Sequence, residues 1–305
     1  MNATIFLAQL LNGLQFGVLL FLLAAGLTLV FGIMSFVNLA HGSLYMMGAY
    51  FAASVFGYTG SFALAVLGAM TGSLCLGLLL EFVAVARLYR RDHLDHVLAT
   101  YGLILFFIEL VRIVWGSQPL FLQVPTFLGG AVDIYGFTYP AYRFAIIFVG
   151  LLVAIGSYLL INKTRTGMLI RAGSVNPKMV AALGVNIRRL NAMLFGVGAM
   201  LAGLAGAMAG PILSVQSGMG ESVLITTLVV IVIGGIGSVS GAFYAALIVG
   251  IVDTMGRAFL PFILRQFTER SFADAAGPAL ASMLVYLFMA VVLAWRPQGL
   301  FPASR

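Results

Sequence analysis

Two stretches, 16–31 and 144–161, run unbroken through apolar residues with nothing more polar than Thr, Ser or Tyr inside them. Runs of this length have no counterpart on a water-facing surface. Strands of a membrane barrel would instead alternate apolar and polar residues in segments of about 10. A helix crosses a bilayer with about 20 apolar residues, and both stretches suit that geometry. Composition agrees: 62% of the 305 residues are hydrophobic and 8% are charged. Soluble domains run at about 45–50% apolar and about 25% charged. The expected fold is therefore all-α, a polytopic transmembrane helix bundle of about eight to ten membrane segments. The 36 glycines fit close helix approach and broken or re-entrant segments.

Spans are expected near residues 10–33, 36–56, 61–85, 97–115, 142–161, 190–211, 223–254 and 278–295, forming one transmembrane domain over 1–305. The first Lys or Arg is Arg87, so no basic region precedes the first apolar segment, and it is expected to stay as a span. Cys75 is alone and leaves redox compartment open.

Positive charge is concentrated in two loops. One holds Arg87, Arg90 and Arg91. The other, 162–189, holds Lys163, Arg165, Arg171, Lys178, Arg188 and Arg189 with no acid. The positive-inside rule turns both to the cytoplasm. Loop 116–141, with Asp133 as its one charge, belongs outside. Trp115 and Trp295 stand at span ends, where aromatic anchors collect. Eight simple spans would leave the tail outside, although it carries Arg296 and Arg305. A break at "GGIGSVSG" (234–241) would make two passes or a re-entrant pair of 223–254 and return the tail to the cytoplasm.

An internal echo runs through the chain. "NGLQFGV" (12–18) matches "NAMLFGV" (191–197), and Gly42–Ser43–Leu44–Tyr45 matches Gly241–Ala242–Phe243–Tyr244, at a different offset. Chance in Gly- and Leu-rich sequence produces such echoes too. A true one implies two related halves with breaks in corresponding places, a pointer to a transport site.

In loop 162–189, Asn176–Pro177 can start a helix as N-cap and first helical residue. Met179, Val180, Ala182 and Leu183 give it an apolar side, and Gly184 can close it in a left-handed conformation. Such a helix either lies on anionic lipid headgroups or docks a cytoplasmic partner. Neither Lys163 nor Lys178 stands in a Gly-x-x-x-x-Gly-Lys-Ser/Thr frame. ATP hydrolysis by this chain through a P-loop is thus excluded.

Ion-driven carriers bury acids, bases or histidines at mid-membrane. Here Glu81, Glu109, Arg112 and Asp253 fall towards segment ends. Glu109 with Arg112, and Asp253 with Arg257, are spaced to pair on one helix face. His93 and His96 read as a solvated loop beside Asp92 and Asp95, and metal ligation is the less favoured alternative. No nucleophile elbow or zinc-protease motif is present, so no catalytic residue is assigned. "SFVNLAHGSLYMMGAY" (35–50) places Asn38, His41, Gly42, Ser43 and Tyr45 in apolar surroundings. Each polar group there satisfies freed backbone or lines a path.

Three stretches resemble the LivH-type permease subunits of ABC importers for branched-chain amino acids. They are "NGLQFGVLLFLLAAGLTLVFGIMSFVNLAHGSLYMMGAY" (12–50), "RAGSVNPKMVAALGVNIRRLNAMLFGVGAMLAGLAGAMAGP" (171–211) and "VIVIGGIGSVSGAFYAALIVG" (230–250). The closing "RPQGLF" (296–301) also fits, while 257–277 matches no motif. The resemblance implies a multi-pass subunit of the bacterial inner membrane. It would work with a second, LivM-like permease, two cytoplasmic ABC ATPases and a periplasmic solute-binding protein. It implies no enzyme and no cofactor on this chain, with ATP and Mg on the ATPases. It also implies that loop 162–189 is a coupling segment, with Arg171, Ala172, Asn176, Ala181 and Gly184 at the matching positions. The translocation path would run by Asn38, His41, Gly42, Ser43 and Tyr45, and by Gly234, Gly235, Gly237, Ser238 and Gly241. Branched-chain or other hydrophobic amino acids are the implied solutes. The open alternatives are an amide, urea, aromatic or short carboxylate permease, a stand-alone ion-coupled carrier, and a non-transporting scaffold.

Overall fold

The structure, a computed structural model, describes residues 3–34, 36, 38–89, 91–134 and 137–301. Arg90 and Arg305, both counted above as basic-loop or tail charges, lie outside the described residues, as do Ser35 and Val37. Among the described residues seven helices are long and apolar enough to cross a bilayer. They are built on α1 (Ala3–Met34), α3 (Phe62–Leu80, continued below), α5 (His93–Trp115), α6 (Ala141–Lys163), α9 (Ile187–Ala209), α11 (Val239–Leu264) and α12 (Arg270–Trp295). Two apolar helices, α2 (His41–Thr59) and α10 (Met219–Gly234), fall outside that group. The polytopic helical bundle expected from the sequence is what the chain adopts.

Apolar on all faces, these helices divide by what surrounds them. The apolar window of α1 is 83% buried and that of α9 78%, against 11% for α6. The first two therefore form the interior, and α6 shows most of its surface to lipid. α11 lies antiparallel along α1, with Gly13 against Gly250 and Ile251 and Gly17 against Ala246 and Leu247. α9 meets α1 at Gly26, where an added Cβ would stand 2.6 Å from the Gly198 carbonyl oxygen. Contact this close gives two backbones their dispersion energy in a medium that supplies no hydrophobic drive.

The segment expected to span 223–254 is broken where the sequence suggested. α10 ends at Gly234, and Gly235 and Gly237 take φ of 103° and 84°, which L side chains rarely adopt. Ser238 then caps α11, its Oγ accepting from the Gly241 amide at 3.0 Å. The 257–277 stretch closes α11, turns, and opens α12. Loop 116–141 is not wholly irregular: Ala131–Ile134 and Phe137–Pro140 form a small antiparallel hairpin.

Both basic loops emerge at one end of the bundle, since Arg87 and Arg188 line one cavity. The tail returns to this end. Leu300 and Phe301 donate backbone bonds to Ile233 and Gly234 at 2.8 and 3.1 Å, beside a break that packs Gly237 on Gly32.

Candidate functional site

At the basic end α1 stops at Met34 and the chain doubles back. His41, the first residue of α2, donates from Nε2 to the Leu23 carbonyl oxygen at 3.2 Å. Leu23 stands about 16 Å of helix before the end of α1. His41 therefore lies beside α1 well inside the bundle, and α2 begins there. The polar cluster lies at this point. Asn38, His41, Ser43 and Tyr45 are 1–4% exposed. Among the described residues neither amide atom of Asn38 has a hydrogen-bond partner, although both are buried. An unpartnered buried amide costs about 1–3 kcal/mol, so the fold gains no hydrogen bond from this side chain among the described residues.

The first turns of α2 rest on two other helices. Gly42 meets Gly220 at the start of α10, while Tyr45 and Gly48 meet Gly206 and Gly203 of α9. The second group of path candidates, Gly234, Gly235, Gly237, Ser238 and Gly241, forms the α10–α11 break. Gly234 packs on Gly241, and Gly237 on Gly32 near the end of α1. The two groups thus occupy separate turns flanking α1, and neither lines the cavity around Arg87 and Arg188 or the one around Ser54 and Trp115. "GSLY" and "GAFY", the second echo, each fall within the first two turns of a helix, α2 and α11.

The acid-free loop holds two helices where the sequence suggested one. Thr164 caps α7 (Arg165–Val175), its Oγ1 accepting from Gly167 N at 3.0 Å. Asn176 caps α8 (Pro177–Ala182), its Oδ1 accepting from Met179 N at 3.0 Å, with Pro177 opening the helix. Gly184 follows at φ 86°. These local features follow the sequence closely. Arg171, Ala172, Asn176, Ala181 and Gly184 are all exposed, and Val175, Met179 and Leu183 add bare apolar surface beside them. Arg171 differs from a free surface charge: its guanidinium donates to the Ile161 carbonyl near the end of α6.

α7 is the element the sequence reading missed. Its Leu169 and Ile170 pack with Met34, Leu160, Leu190 and Leu194. Met34, the last residue of α1, shares this cluster with Ile170, so α7 and the end of α1 belong to one packed group. Thr164, a polar N-cap three residues before Gly167 and followed by apolar Leu169 and Ile170, was the available signal.

The expected ion pairs form: Arg112 with Glu109 at 2.7 Å, and Arg257 with Asp253 at 2.8 Å. His96 departs from its solvated-loop reading. It is a 4%-exposed residue of α5 whose Nε2 donates to the Leu88 carbonyl at 2.9 Å, and its ring lies 4.6 Å from that of Phe36. An apolar ring from the re-entrant segment covers it, which explains why it is not in water.

A family model described as "Branched-chain amino acid transport system / permease component" matches residues 9–293. The chain is similar to the high-affinity branched-chain amino acid transport system permease protein BraD of Pseudomonas aeruginosa, at 29% identity over 97% of this chain and 95% of that one. It is similar to LivH of Salmonella typhimurium at 28%, over 96% of each chain. It also resembles LivM of Escherichia coli at 29%, over 93% of this chain and 68% of that protein. No solved structure matches the chain.

Proposed function

The chain belongs to the branched-chain amino acid transport system permease component family, and on that footing we propose that it is the membrane-spanning subunit of an ATP-driven importer. Its solutes are branched-chain or other hydrophobic amino acids, delivered by a periplasmic binding protein. It works with a second, LivM-like permease and with two cytoplasmic ABC ATPases that hold the ATP and Mg. It lies in the inner membrane with its basic loops in the cytoplasm.

The observation that carries this reading is the apolar cluster that joins α7 to Met34. One side of the α7–α8 unit is exposed for a partner. The other shares that cluster with the end of α1, ahead of the turn that holds Asn38 and His41. A rigid-body push on α8 would therefore reach the polar turn through packed side chains, as alternating access requires. The roles follow from chemistry. Asn38 offers an unsatisfied amide to the solute's ammonium or carboxylate. His41 fixes the start of α2 against α1. Ser238 and the glycines of the α10–α11 break shape the turn opposite.

Reconstitution with the partner subunits tests the reading. Uptake of leucine that requires ATP, both permeases and the binding protein is the expected result. Uptake by this chain alone, driven by a proton gradient, would replace the importer with an ion-coupled carrier. The binding protein's own ligand distinguishes hydrophobic amino acids from amides, urea or short carboxylates.

A further inference from the structure

A cavity of about 490 Å³ opens at the basic end, between the cytoplasmic end of α3 and the start of α9. We propose that it binds the headgroup of an anionic phospholipid bearing free hydroxyls, of the phosphatidylglycerol type. The inference stands apart from which solute the protein carries.

The walls are chemically divided. Arg87 and Arg188 supply two guanidinium groups, Asn191 an amide, Tyr89 a phenol edge, and Phe82 and Ile187 apolar surface. Neither arginine forms an ion pair among the described residues. Glu81, on the same helical run as Arg87, is withdrawn: it is 3% exposed and accepts from the Tyr89 hydroxyl at 3.0 Å, while Asp92, nearer in sequence and exposed, pairs with neither arginine among the described residues. Burial, then the Glu81 charge, raises the Tyr89 hydroxyl above the ordinary phenol range, so it stays a donor to Glu81.

Helix α3 does not end regularly here. It passes into a π-helical turn, Glu81–Val85, before the short α4 (Ala86–Leu88). Such bulges are rare and collect at functional sites. This one holds Phe82 at the cavity, where the Arg188 guanidinium carbon lies 5.9 Å from its ring centroid. The cation–π contact keeps that charge over the opening. Asn191 Oδ1 is buried without a hydrogen-bond partner. A phosphate diester has no proton to give it, whereas a headgroup hydroxyl does. Below the opening, Leu78, Leu79, Phe82 and Val83 form an exposed apolar strip on α3 and its bulge, suited to acyl chains. Free phosphate would leave that strip unused. Basic clefts between helices on the cytoplasmic side suit anionic headgroups for the same electrostatic reason.

Native mass spectrometry of the purified full chain, exchanged into micelles with phosphatidylglycerol and phosphatidylcholine, tests the proposal. Retained phosphatidylglycerol should exceed phosphatidylcholine at least tenfold. The Arg87→Gln/Arg188→Gln variant should lose that preference, and Arg165→Gln, at the same end but outside the cavity, should keep it. Asn191→Leu should bring phosphatidylglycerol down to the level of phosphatidylethanol, an anionic diester without headgroup hydroxyls that is offered in a parallel exchange. Should the double variant not fold, Arg87→Gln alone serves, because Arg87 is exposed, with at least a threefold loss expected. Equal retention of both lipids, or an undiminished preference in the arginine variants, overturns the proposal. So does displacement of the lipid by millimolar inorganic phosphate, which would make the ligand a free anion. Expulsion of the lipid on assembly with the ATPases would overturn it too, making the cleft a protein contact.

Discussion

His41 donates from Nε2 to the carbonyl oxygen of Leu23 at 3.2 Å, which pins the first residue of α2 against the interior of α1. The bond sets the depth to which the chain re-enters the bundle. His41→Leu removes it and should lower unfolding stability by about 0.5–1.5 kcal/mol, the net worth of one buried bond. His41→Gln, which can still donate, should recover part of that. The temperature at which the purified protein loses its monodisperse elution peak measures both. A leucine variant as stable as the parent would show that packing alone holds the turn.

Asn38 is expected to behave in the opposite way. Its amide is buried and unpartnered, so Asn38→Leu should leave stability unchanged or raise it by up to about 3 kcal/mol. ATP-driven uptake in reconstituted vesicles should nevertheless fall at least tenfold. Raised stability with unaltered uptake would take Asn38 off the path. Wild-type accumulation by Asn38→Ala/His41→Ala/Ser43→Ala would remove the whole cluster.

For α8, the cap and the exit turn are the sensitive points. Asn176→Ala removes the acceptor for Met179 N, at a cost of about 0.5–2 kcal/mol to the helix start. Asn176→Asp retains it. Gly184→Pro demands φ near −65° where the chain has 86°. Alanine and proline variants should insert normally yet co-purify at least fivefold less ATPase, and the aspartate variant should match wild type. Full ATPase recovery in all three would separate α8 from docking.

Arg171 links the same unit to α6. Arg171→Glu loses the bond to the Ile161 carbonyl and sets a negative charge at the negative end of the α6 dipole. ATPase activity in the assembled importer should persist while uptake drops, since α7 would no longer be held in register. Uptake and hydrolysis that remain coupled in this variant would refute a positioning role.

The C-terminal segment is held to the α10–α11 break by backbone contacts. Gly299 takes φ 84°, and a Cβ there would lie 2.5 Å from Gly235 N. Gly299→Val should therefore release the tail and cost about 1–3 kcal/mol by overpacking. Limited proteolysis from the basic side should cut the released tail faster, and unchanged cleavage would show that the break closes without it.

Much of this architecture could be read from residue order because its causes are local. Scarce charge and long apolar runs dictated helices in lipid. Asn176, Pro177 and Gly184 announced the limits of α8, and paired glycines marked the α10–α11 break. Ion pairs three and four residues apart followed from helical geometry. Reading failed where a side chain's surroundings come from a distant element. His96 looked solvated until Phe36 covered it, and α7 carried its apolar residues without showing the cluster they share with Met34.

By itself, then, the sequence determined the solvent, the helices, their caps and the loops that carry charge, since each depends on composition or on neighbours within one turn. Only the tertiary structure decided that His41 comes back to Leu23, that the tail lies against Gly234 and Gly235, and that Arg87 and Arg188 share one cavity. These contacts join residues that are not neighbours within one turn, and such approaches leave no periodic mark on the sequence.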